Sequence, residues 1–124
     1  MIIAYHSLTG NVKRFLDRCE FAFVNIADVS TLDEPFIIVT NTIGFGQVPG
    51  PVSDFLNRNR ERLVGVAASG NRNWGANFAK AADLISLQYG VPIVHKFELS
   101  GTEEDVKIFT ERVYAIDEFN THRN

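Results

Sequence analysis

Short apolar runs alternate with segments of helical period along almost the whole chain, and this alternation limits the possible fold more than any other feature. Apolar runs of four to eight residues indicate strands, and apolar residues three or four positions apart indicate helices. Because strands separated by helices pair in parallel through right-handed crossovers, the chain predicts a three-layer α/β/α sandwich. We expect one domain, residues 1–124, with a five-stranded parallel sheet of order 2-1-3-4-5. The expected strands are residues 1–5, 21–26, 36–40, 63–67 and 91–99.

The expected helices cover residues 12–19, 52–62 and 76–89, and a last helix begins at "GTEED". Thr102 is suited to cap that last helix, and the acidic run after it favours the positive end of the helix dipole. Each helix carries an apolar stripe that should face the sheet. The aromatic members of these stripes are expected in the core: Phe15, Phe55, Phe78 and Phe109.

Charge and cysteine content exclude several classes of protein. A net charge of −3 gives no basic footprint for nucleic acid or for an anionic membrane. The single cysteine, Cys19, excludes an internal disulfide and a multi-cysteine metal site, and its helical apolar spacing predicts a buried core residue. The chain has no signal-peptide pattern and no run of about 18 apolar residues, so we expect a soluble, cytoplasmic protein.

Polar, glycine-containing loops follow expected strands one, three and four, where ligands of parallel sheets bind. The first loop is "HSLTGN", residues 6–11, whose backbone N–H groups and hydroxyls at Ser7 and Thr9 suit a phosphate. It contains no Lys or Arg and matches neither the P-loop nor the dinucleotide motif, which favours the phosphate of a tightly held cofactor. A turn that only caps the first helix is the alternative.

The other two loops suit a flat ligand. In "TNTIGFGQVPGP", residues 40–51, Gly44 and Gly46 allow the backbone to approach a ring closely. In "AASGNRNWG", residues 67–75, polar side chains can bond a ring edge while Trp74 offers an apolar plane, although Trp74 could instead pack on the next helix. Together the three loops predict a site for a flat cofactor that carries a phosphate.

The first loop resembles the FMN phosphate site of flavodoxins, and the chain as a whole is similar to the NrdI family. The stretches that carry this resemblance are "TGNVKRF", "TIGFGQVP", "VAASGNRNWG" and "VPIVHKFELSGT". They occur in the family's order between residues 9 and 102, so the resemblance covers nearly the whole chain. Val12 stands where ordinary flavodoxins usually carry another threonine of the phosphate loop.

The resemblance implies a flavodoxin-like fold and non-covalently bound FMN. A protein of this family is reduced to the FMN hydroquinone, which reacts with O2 to give a superoxide-type oxidant. The oxidant passes to the dimanganese site of NrdF, the radical subunit of class Ib ribonucleotide reductase, and generates the Mn(III)2-tyrosyl radical cofactor. The resemblance thus implies a redox activase rather than a stand-alone enzyme, with a flavin- or thiol-linked reductase as electron donor and neither nucleic acid nor membrane as partner.

The resemblance also implies roles for individual residues. The phosphate is expected at Ser7, Leu8, Thr9, Gly10 and Asn11. One side of the isoalloxazine is expected at Thr40, Thr42, Ile43, Gly44, Phe45 and Gly46, and its other edge at Ser69, Gly70, Asn71, Asn73, Trp74 and Gly75.

Two expectations come from the residues themselves. A peptide beside Gly44 can flip at little steric cost, so that a carbonyl could turn toward flavin N5 when that atom gains a proton; Gly44 is therefore the candidate catalytic residue. Residues 40–50 and 67–77 contain no Asp or Glu and include the cationic Arg72. We therefore expect redox potentials less negative than those of flavodoxins with acidic loops.

Other functions remain as alternatives. A general one-electron carrier of the flavodoxin type stays open, although the chain is not strongly acidic. A receiver domain would need an aspartate pair after the first strand, and a low-molecular-weight phosphatase would need a cysteine in the phosphate loop. His6 is a minor site candidate and His95 is expected to be structural. The arginines at 58, 60 and 62 indicate a solvated helix end or part of a docking face.

Overall fold

One parallel sheet of five strands organises the protein in the computed structural model, which describes residues 1–122. The strands are β1 (Ile2–Tyr5), β2 (Phe23–Asn25), β3 (Phe36–Asn41), β4 (Leu63–Gly70) and β5 (Ile93–Glu98). The helices are α1 (Asn11–Asp17), α2 (Gly50–Asn59), α3 (Lys80–Tyr89) and α4 (Glu103–His122). All neighbouring strands pair in parallel in the order β2-β1-β3-β4-β5, which confirms the predicted topology.

Two layers of helices cover the faces of the sheet. Side chains alternate between the two faces along a strand. Phe36 and Ile38 of β3 pack with α2 and α3, whereas Ile37 and Val39 pack with α1 and α4. All four side chains are fully buried. The three-layer sandwich is therefore confirmed, and the apolar run of β3 follows from its burial on both faces.

Aromatic packing agrees with the predicted helical stripes at three of four positions. Phe15, Phe55 and Phe109 are buried, and the ring of Phe15 stacks on Phe97 with centroids 4.0 Å apart. Phe78 differs, because it precedes α3 and is only partly buried. Its ring lies 4.5 Å from the guanidinium carbon of Arg72.

The segment between β4 and α3 departs most from the predicted boundaries. β4 continues to Gly70 instead of ending at residue 67, and α3 begins at Lys80 instead of residue 76. A 3-10 segment, Arg72–Asn77, lies between them and is broken at Gly75, where φ is 55° and ψ is −119°. The helical spacing continues upstream of α3, but this backbone conformation at Gly75 cannot belong to a right-handed helix.

The first helix is shorter than its apolar spacing predicts. α1 ends at Asp17, so that Cys19 follows the helix. The thiol is partly buried against the core that contains Phe15, and its Sγ lies 3.4 Å from the Phe15 carbonyl oxygen. Burial raises the pKa of Cys19 to about 11, which keeps the thiol protonated and unreactive at neutral pH.

Candidate cofactor site

A cavity of about 320 Å³ opens where β1, β3, β4 and β5 end. Its volume is in the range of small-molecule sites, and its position is the one expected for a ligand of a parallel sheet. Eleven of the residues expected at the cofactor line this cavity. They are Ser7, Leu8, Thr9, Asn11, Thr42, Ile43, Gly44, Ser69, Gly70, Asn71 and Trp74.

Six other expected residues do not line the cavity: Gly10, Thr40, Phe45, Gly46, Asn73 and Gly75. Five of them lie in the loops that follow the strands, and Thr40 lies near the end of β3. Thr40, for example, is fully buried, and its hydroxyl donates to the Asn41 carbonyl at 2.9 Å. These residues shape the loops that face the cavity.

Five cavity-lining residues were not among the expected ones: Val12, Asn41, Asn77, Ala79 and Leu99. Val12 follows the phosphate loop by one residue, and Asn41 lies inside the predicted loop of residues 40–51, between the expected residues Thr40 and Thr42. Asn77 and Ala79 come from the segment that was predicted to be helix. Leu99 follows β5, and none of the three predicted loops follows that strand.

The loop after β1 turns sharply into α1. Gly10 has a φ of 89°, and the Ser7 hydroxyl accepts a hydrogen bond from the Lys13 backbone N–H at 3.4 Å. Arg14 donates to Asn11 Oδ1 at 2.7 Å and to the Thr9 carbonyl at 3.4 Å. The loop itself is neutral, but a positive charge from the second turn of α1 therefore lies against it. This combination favours an anionic group at the loop.

The loop after β3 forms a tight hairpin. Ile43 and Gln47 pair as an antiparallel bridge, and the Ile43 N–H donates to the Gln47 carbonyl at 3.0 Å. Gly44, with a φ of 53°, and Gly46, with a φ of 107°, adopt left-handed conformations that other residues rarely adopt. The hairpin therefore depends on both glycines.

Two exposed aromatic rings connect the loops that follow β3 and β4. Phe45 at the tip of the hairpin is 74% exposed, and its ring meets the ring of Trp74 edge to face with centroids 5.5 Å apart. Trp74 also lines the cavity. It therefore belongs to the cavity wall, whereas the alternative was packing on α3.

The loop after β4 uses its polar groups largely for its own structure. Asn71 Oδ1 accepts a hydrogen bond from the Asn73 N–H at 2.9 Å, which caps the 3-10 segment. The Ser69 hydroxyl donates to the Leu99 carbonyl at 2.6 Å. The hydroxyl proton of Ser69 is therefore used to hold Leu99, which also lines the cavity, and is not free to bond the edge of a ring.

Arg72 is paired within the protein. Its Nε lies 3.8 Å from Glu98 Oε1, and its backbone N–H donates to Glu98 Oε2 at 3.0 Å. Because Glu98 neutralises much of this charge, Arg72 contributes less positive potential to the cavity than its sequence position suggests.

The cavity wall is neutral and contains unsatisfied polar groups. None of the residues that line it is Asp, Glu, Lys, Arg or His. Among residues 1–122, the buried side-chain atoms without a hydrogen-bond partner are Asn41 Oδ1 and Thr42 Oγ1, and both residues line the cavity. Buried polar atoms rarely stay unpaired, so these two fit a ligand that supplies hydrogen bonds. A flat, polar-edged molecule with an anionic end fits the neutral wall and the loop beside Arg14.

The remaining candidates lie away from this cavity. His6 is partly buried, which lowers the pKa of its imidazole, and it is not part of the lining. The three arginines of residues 58–62 are also outside the lining. Residues 1–122 include no cluster of His, Cys, Asp and Glu that could hold a metal ion. In the same range, no helix is both long and apolar enough to cross a bilayer.

Two solved structures share this fold. The structure of oxidised flavodoxin 2 from Bacillus cereus matches with a TM-score of 0.65 and 22% identity, covering 94% of this chain and 97% of that one. A short-chain flavodoxin associated with a non-canonical PDU bacterial microcompartment matches with a TM-score of 0.62 and 18% identity, covering 95% and 96%. At such identities the likeness concerns the fold, which is flavodoxin-like.

Sequence comparisons identify a narrower group. The family described as "NrdI Flavodoxin like" matches residues 3–111. Protein NrdI of Macrococcus caseolyticus (strain JCSC5402) is 52% identical over 122 residues, which cover 98% of this chain and 95% of that protein. Protein NrdI of Bacillus licheniformis is 56% identical over 117 residues, which cover 92% and 88%. Because these matches span nearly the whole chain, the protein belongs to the NrdI flavodoxin-like family.

Proposed function

We propose that the protein is an FMN-dependent activator of class Ib ribonucleotide reductase. FMN is the cofactor of this family. When bound and reduced, FMN supplies electrons to O2, and the resulting superoxide-type oxidant would reach the dimanganese site of the radical subunit NrdF and generate its Mn(III)2-tyrosyl radical. The observation that carries the proposal is the neutral cavity at the family's three loops, with two unpaired buried polar atoms in its wall.

The loop after β1 would hold the phosphate. Ser7, Thr9 and Asn11 line the cavity before and at the start of α1, where the free backbone N–H groups of the first helical turn would bond an anion. Arg14 lies one turn further along and holds the loop through Asn11. A phosphate at this position would be bonded directly by the neutral groups of the loop, and the positive charge of Arg14 would lie close by.

The loops after β3 and β4 would hold the ring. Asn41 and Thr42 each offer an unpaired buried oxygen, while Trp74 presents an aromatic surface at the other side of the cavity. Gly44 would set the position of the peptide beside the ring, because its φ of 53° fixes the turn of the hairpin. These contacts would orient the ring and exclude water from its polar edge.

Exposed apolar side chains around the cavity support a specific protein partner. Leu8 is 69% exposed, Phe45 is 74% exposed and Trp74 is 49% exposed, and Leu8 and Trp74 line the cavity. Apolar groups beside a site commonly mark an interaction surface. We infer that NrdF docks over this region in the cytoplasm, and that a flavin- or thiol-linked reductase reaches the same opening to deliver electrons.

FMN binding is tested with a matched pair of threonine variants. The protein, mixed with FMN and then separated from unbound flavin by gel filtration, should retain flavin absorption bands, and in a titration it should quench flavin fluorescence. Thr42→Val should weaken FMN binding about fivefold, because it removes one hydrogen bond of about 1 kcal/mol, without lowering the melting temperature of the FMN-free protein. Thr40→Val should instead lower that melting temperature and change the affinity little, since its hydroxyl already bonds Asn41. An absence of flavin bands in the unmodified protein would refute FMN binding.

Activation of the reductase is a separate test. The reduced, FMN-loaded protein should generate the tyrosyl radical in manganese-loaded NrdF when O2 is admitted, as detected by electron paramagnetic resonance. Free reduced FMN at the same concentration is the control. A protein that binds FMN, exchanges single electrons with several acceptors and leaves NrdF unactivated would be a general electron carrier.

A further inference from the structure

Two residues other than glycine have left-handed backbone conformations among the described residues, and both line the cofactor cavity. Ala79 has a φ of 49° and Leu99 has a φ of 54°. This conformation crowds the Cβ atom and costs free energy, so it persists only where the surroundings enforce it. The presence of both at one cavity indicates that the strain shapes the site.

The end of β4 enforces the conformation of Leu99. The Leu99 N–H donates to the Gly70 carbonyl at 3.0 Å, and the Leu99 carbonyl accepts the Ser69 hydroxyl at 2.6 Å. Both backbone polar groups of Leu99 are thus bound to two consecutive residues of the neighbouring strand. Ser69 is 4% exposed, which protects this contact from competing water.

The turn after Leu99 is fixed from the other side as well. Arg18 donates to the Gly101 carbonyl at 2.9 Å. A Cβ on Gly101 would lie 2.8 Å from a ring carbon of Phe15, so the turn sits directly on the core. The Thr102 N–H donates to Asp105 Oδ2 at 2.7 Å, which ties the turn to α4. The segment from Leu99 to Thr102 is therefore rigidly placed.

Ala79 meets the same strand end. A Cβ on Gly70 would lie 2.5 Å from the Ala79 backbone nitrogen, a distance that only glycine permits. Gly70 thus lies between the two strained residues, in van der Waals contact with one and hydrogen-bonded to the other. These backbone segments form one continuous wall of the cavity.

Packing in the core does not explain why Leu99 is held in this strained conformation. Leu99 is 49% exposed and lies outside both buried clusters of the protein, yet it lines the cavity. We propose that Leu99 is a cofactor-contacting residue that presents an apolar surface to the FMN ring, held there by its two backbone hydrogen bonds to the end of β4. The inference rests on the proposed FMN function and adds the end of β5 to the three expected loops.

Substitutions at Leu99 separate the side chain from the strain. Leu99→Ala removes the apolar contact and keeps the strain of the left-handed conformation, whereas Leu99→Gly removes both the contact and the strain. Both variants should bind FMN about tenfold more weakly in a fluorescence titration and should shift the visible bands of the bound flavin. The FMN-free form of Leu99→Gly should melt at a higher temperature than that of Leu99→Ala, because glycine adopts the conformation without strain. Leu99→Met should restore most of the affinity.

The control is Leu87→Ala, which removes a leucine that is 85% exposed on α3 and does not line the cavity. It should leave FMN affinity and the flavin bands unchanged. If the unmodified protein binds FMN and Leu99→Ala binds it equally well, Leu99 is no cofactor contact, and the proposed function survives. If the unmodified protein fails to bind FMN, the proposed function itself is wrong. A melting temperature of Leu99→Gly below that of Leu99→Ala would overturn the role of strain.

Discussion

Among single residues, Gly44 is tightly constrained in the hairpin after β3. Its φ is 53°, and a Cβ there would lie 2.9 Å from Gln47 Oε1. Any larger residue would therefore have to strain the backbone and displace the side chain of Gln47. The peptide beside Gly44 can change orientation at low cost only while the residue is glycine.

Gly44→Val tests whether this freedom serves the cofactor. If a peptide carbonyl accepts a hydrogen bond from N5 of the reduced flavin, the variant loses about 1 kcal/mol of stabilisation of that form, and the midpoint potential of the one-electron step that protonates N5 falls by roughly 40 mV. Spectroelectrochemistry of the FMN-loaded protein measures the shift. Gly50→Ala is the control, because a Cβ at Gly50 meets nothing within 4 Å. Equal potentials in Gly44→Val and the unmodified protein would remove Gly44 from the redox chemistry.

At the scale of secondary-structure elements, the start of α4 is fixed by a reciprocal cap. The Thr102 hydroxyl accepts from the Asp105 N–H at 3.1 Å, while Asp105 Oδ2 accepts from the Thr102 N–H at 2.7 Å. Asp105 Oδ1 also lies 2.7 Å from Nε2 of His95 in β5. The predicted cap at Thr102 is therefore confirmed, and the structural interpretation of His95 agrees with its contact to α4.

The carboxylate of Asp105 makes the stability of the protein depend on pH. Partial burial of the carboxylate raises its pKa. Hydrogen bonds from Thr102 and His95 and the nearby charge of His95 lower the pKa by a larger amount, so that the net pKa is below its ordinary value. A lowered pKa in the folded state stabilises the protein above the pKa of the unfolded state and ceases to do so as pH falls through the folded value. The contribution should therefore be complete at pH 7, begin to decline at about pH 4 and vanish only once the pH is below the lowered pKa of the folded state.

Asp105→Asn should lower the free energy of unfolding at pH 7 by about 1 kcal/mol, a typical cost of losing a helix cap. The difference from the unmodified protein should shrink as the pH falls below about 4. Urea unfolding at a series of pH values measures both. Glu104→Gln, which changes an exposed carboxylate of the same helical turn, should cost less than about 0.5 kcal/mol. A constant difference across the pH range would contradict the assigned role of Asp105.

At the scale of the whole molecule, charge is distributed so that the cavity stays neutral. The expectation of a less negative potential rested on loops without carboxylates and on Arg72. Because Arg72 pairs with Glu98, its charge supports this expectation only weakly. The absence of carboxylates from the cavity lining still supports it. We therefore still predict potentials above those of flavodoxins with acidic loops, with the missing carboxylates as the main cause.

Asn71→Asp tests this cause by adding a carboxylate to the wall with almost no change of shape. The new carboxylate can keep the hydrogen bond from the Asn73 N–H. It should repel the negative charge added in the one-electron step that forms the reduced flavin by about 1 kcal/mol, and so lower the midpoint potential of that step by about 40 mV at low salt. Asn57→Asp adds the same charge on α2, away from the cavity lining, and should shift the potential much less. Equal shifts in the two variants would show that the local charge of the wall is unimportant.

The layers, the strand order and the loops that face the cavity could all be predicted from the amino-acid sequence. Apolar periodicity depends on neighbouring residues of one segment, so β3 and the stripes of α1 and α2 are readable without knowledge of the fold. The motifs of the loops after β1, β3 and β4 also indicated the family to which the chain belongs. Glycine at positions 44 and 46 was recognisable because its conformational freedom is a property of the residue itself.

The sequence could not predict which atoms of these loops are available to a ligand, because that depends on contacts between strands. The register that pairs Gly70 with Glu98 brings Leu99 beside the end of β4, although the two segments are almost thirty residues apart in the chain. The same register lets Ser69 bond Leu99 and brings Glu98 to Arg72. Such contacts join strands that are distant in sequence, and local patterns carry no information about them. The part of the cavity wall that Leu99 forms therefore exists only once β4 and β5 have paired.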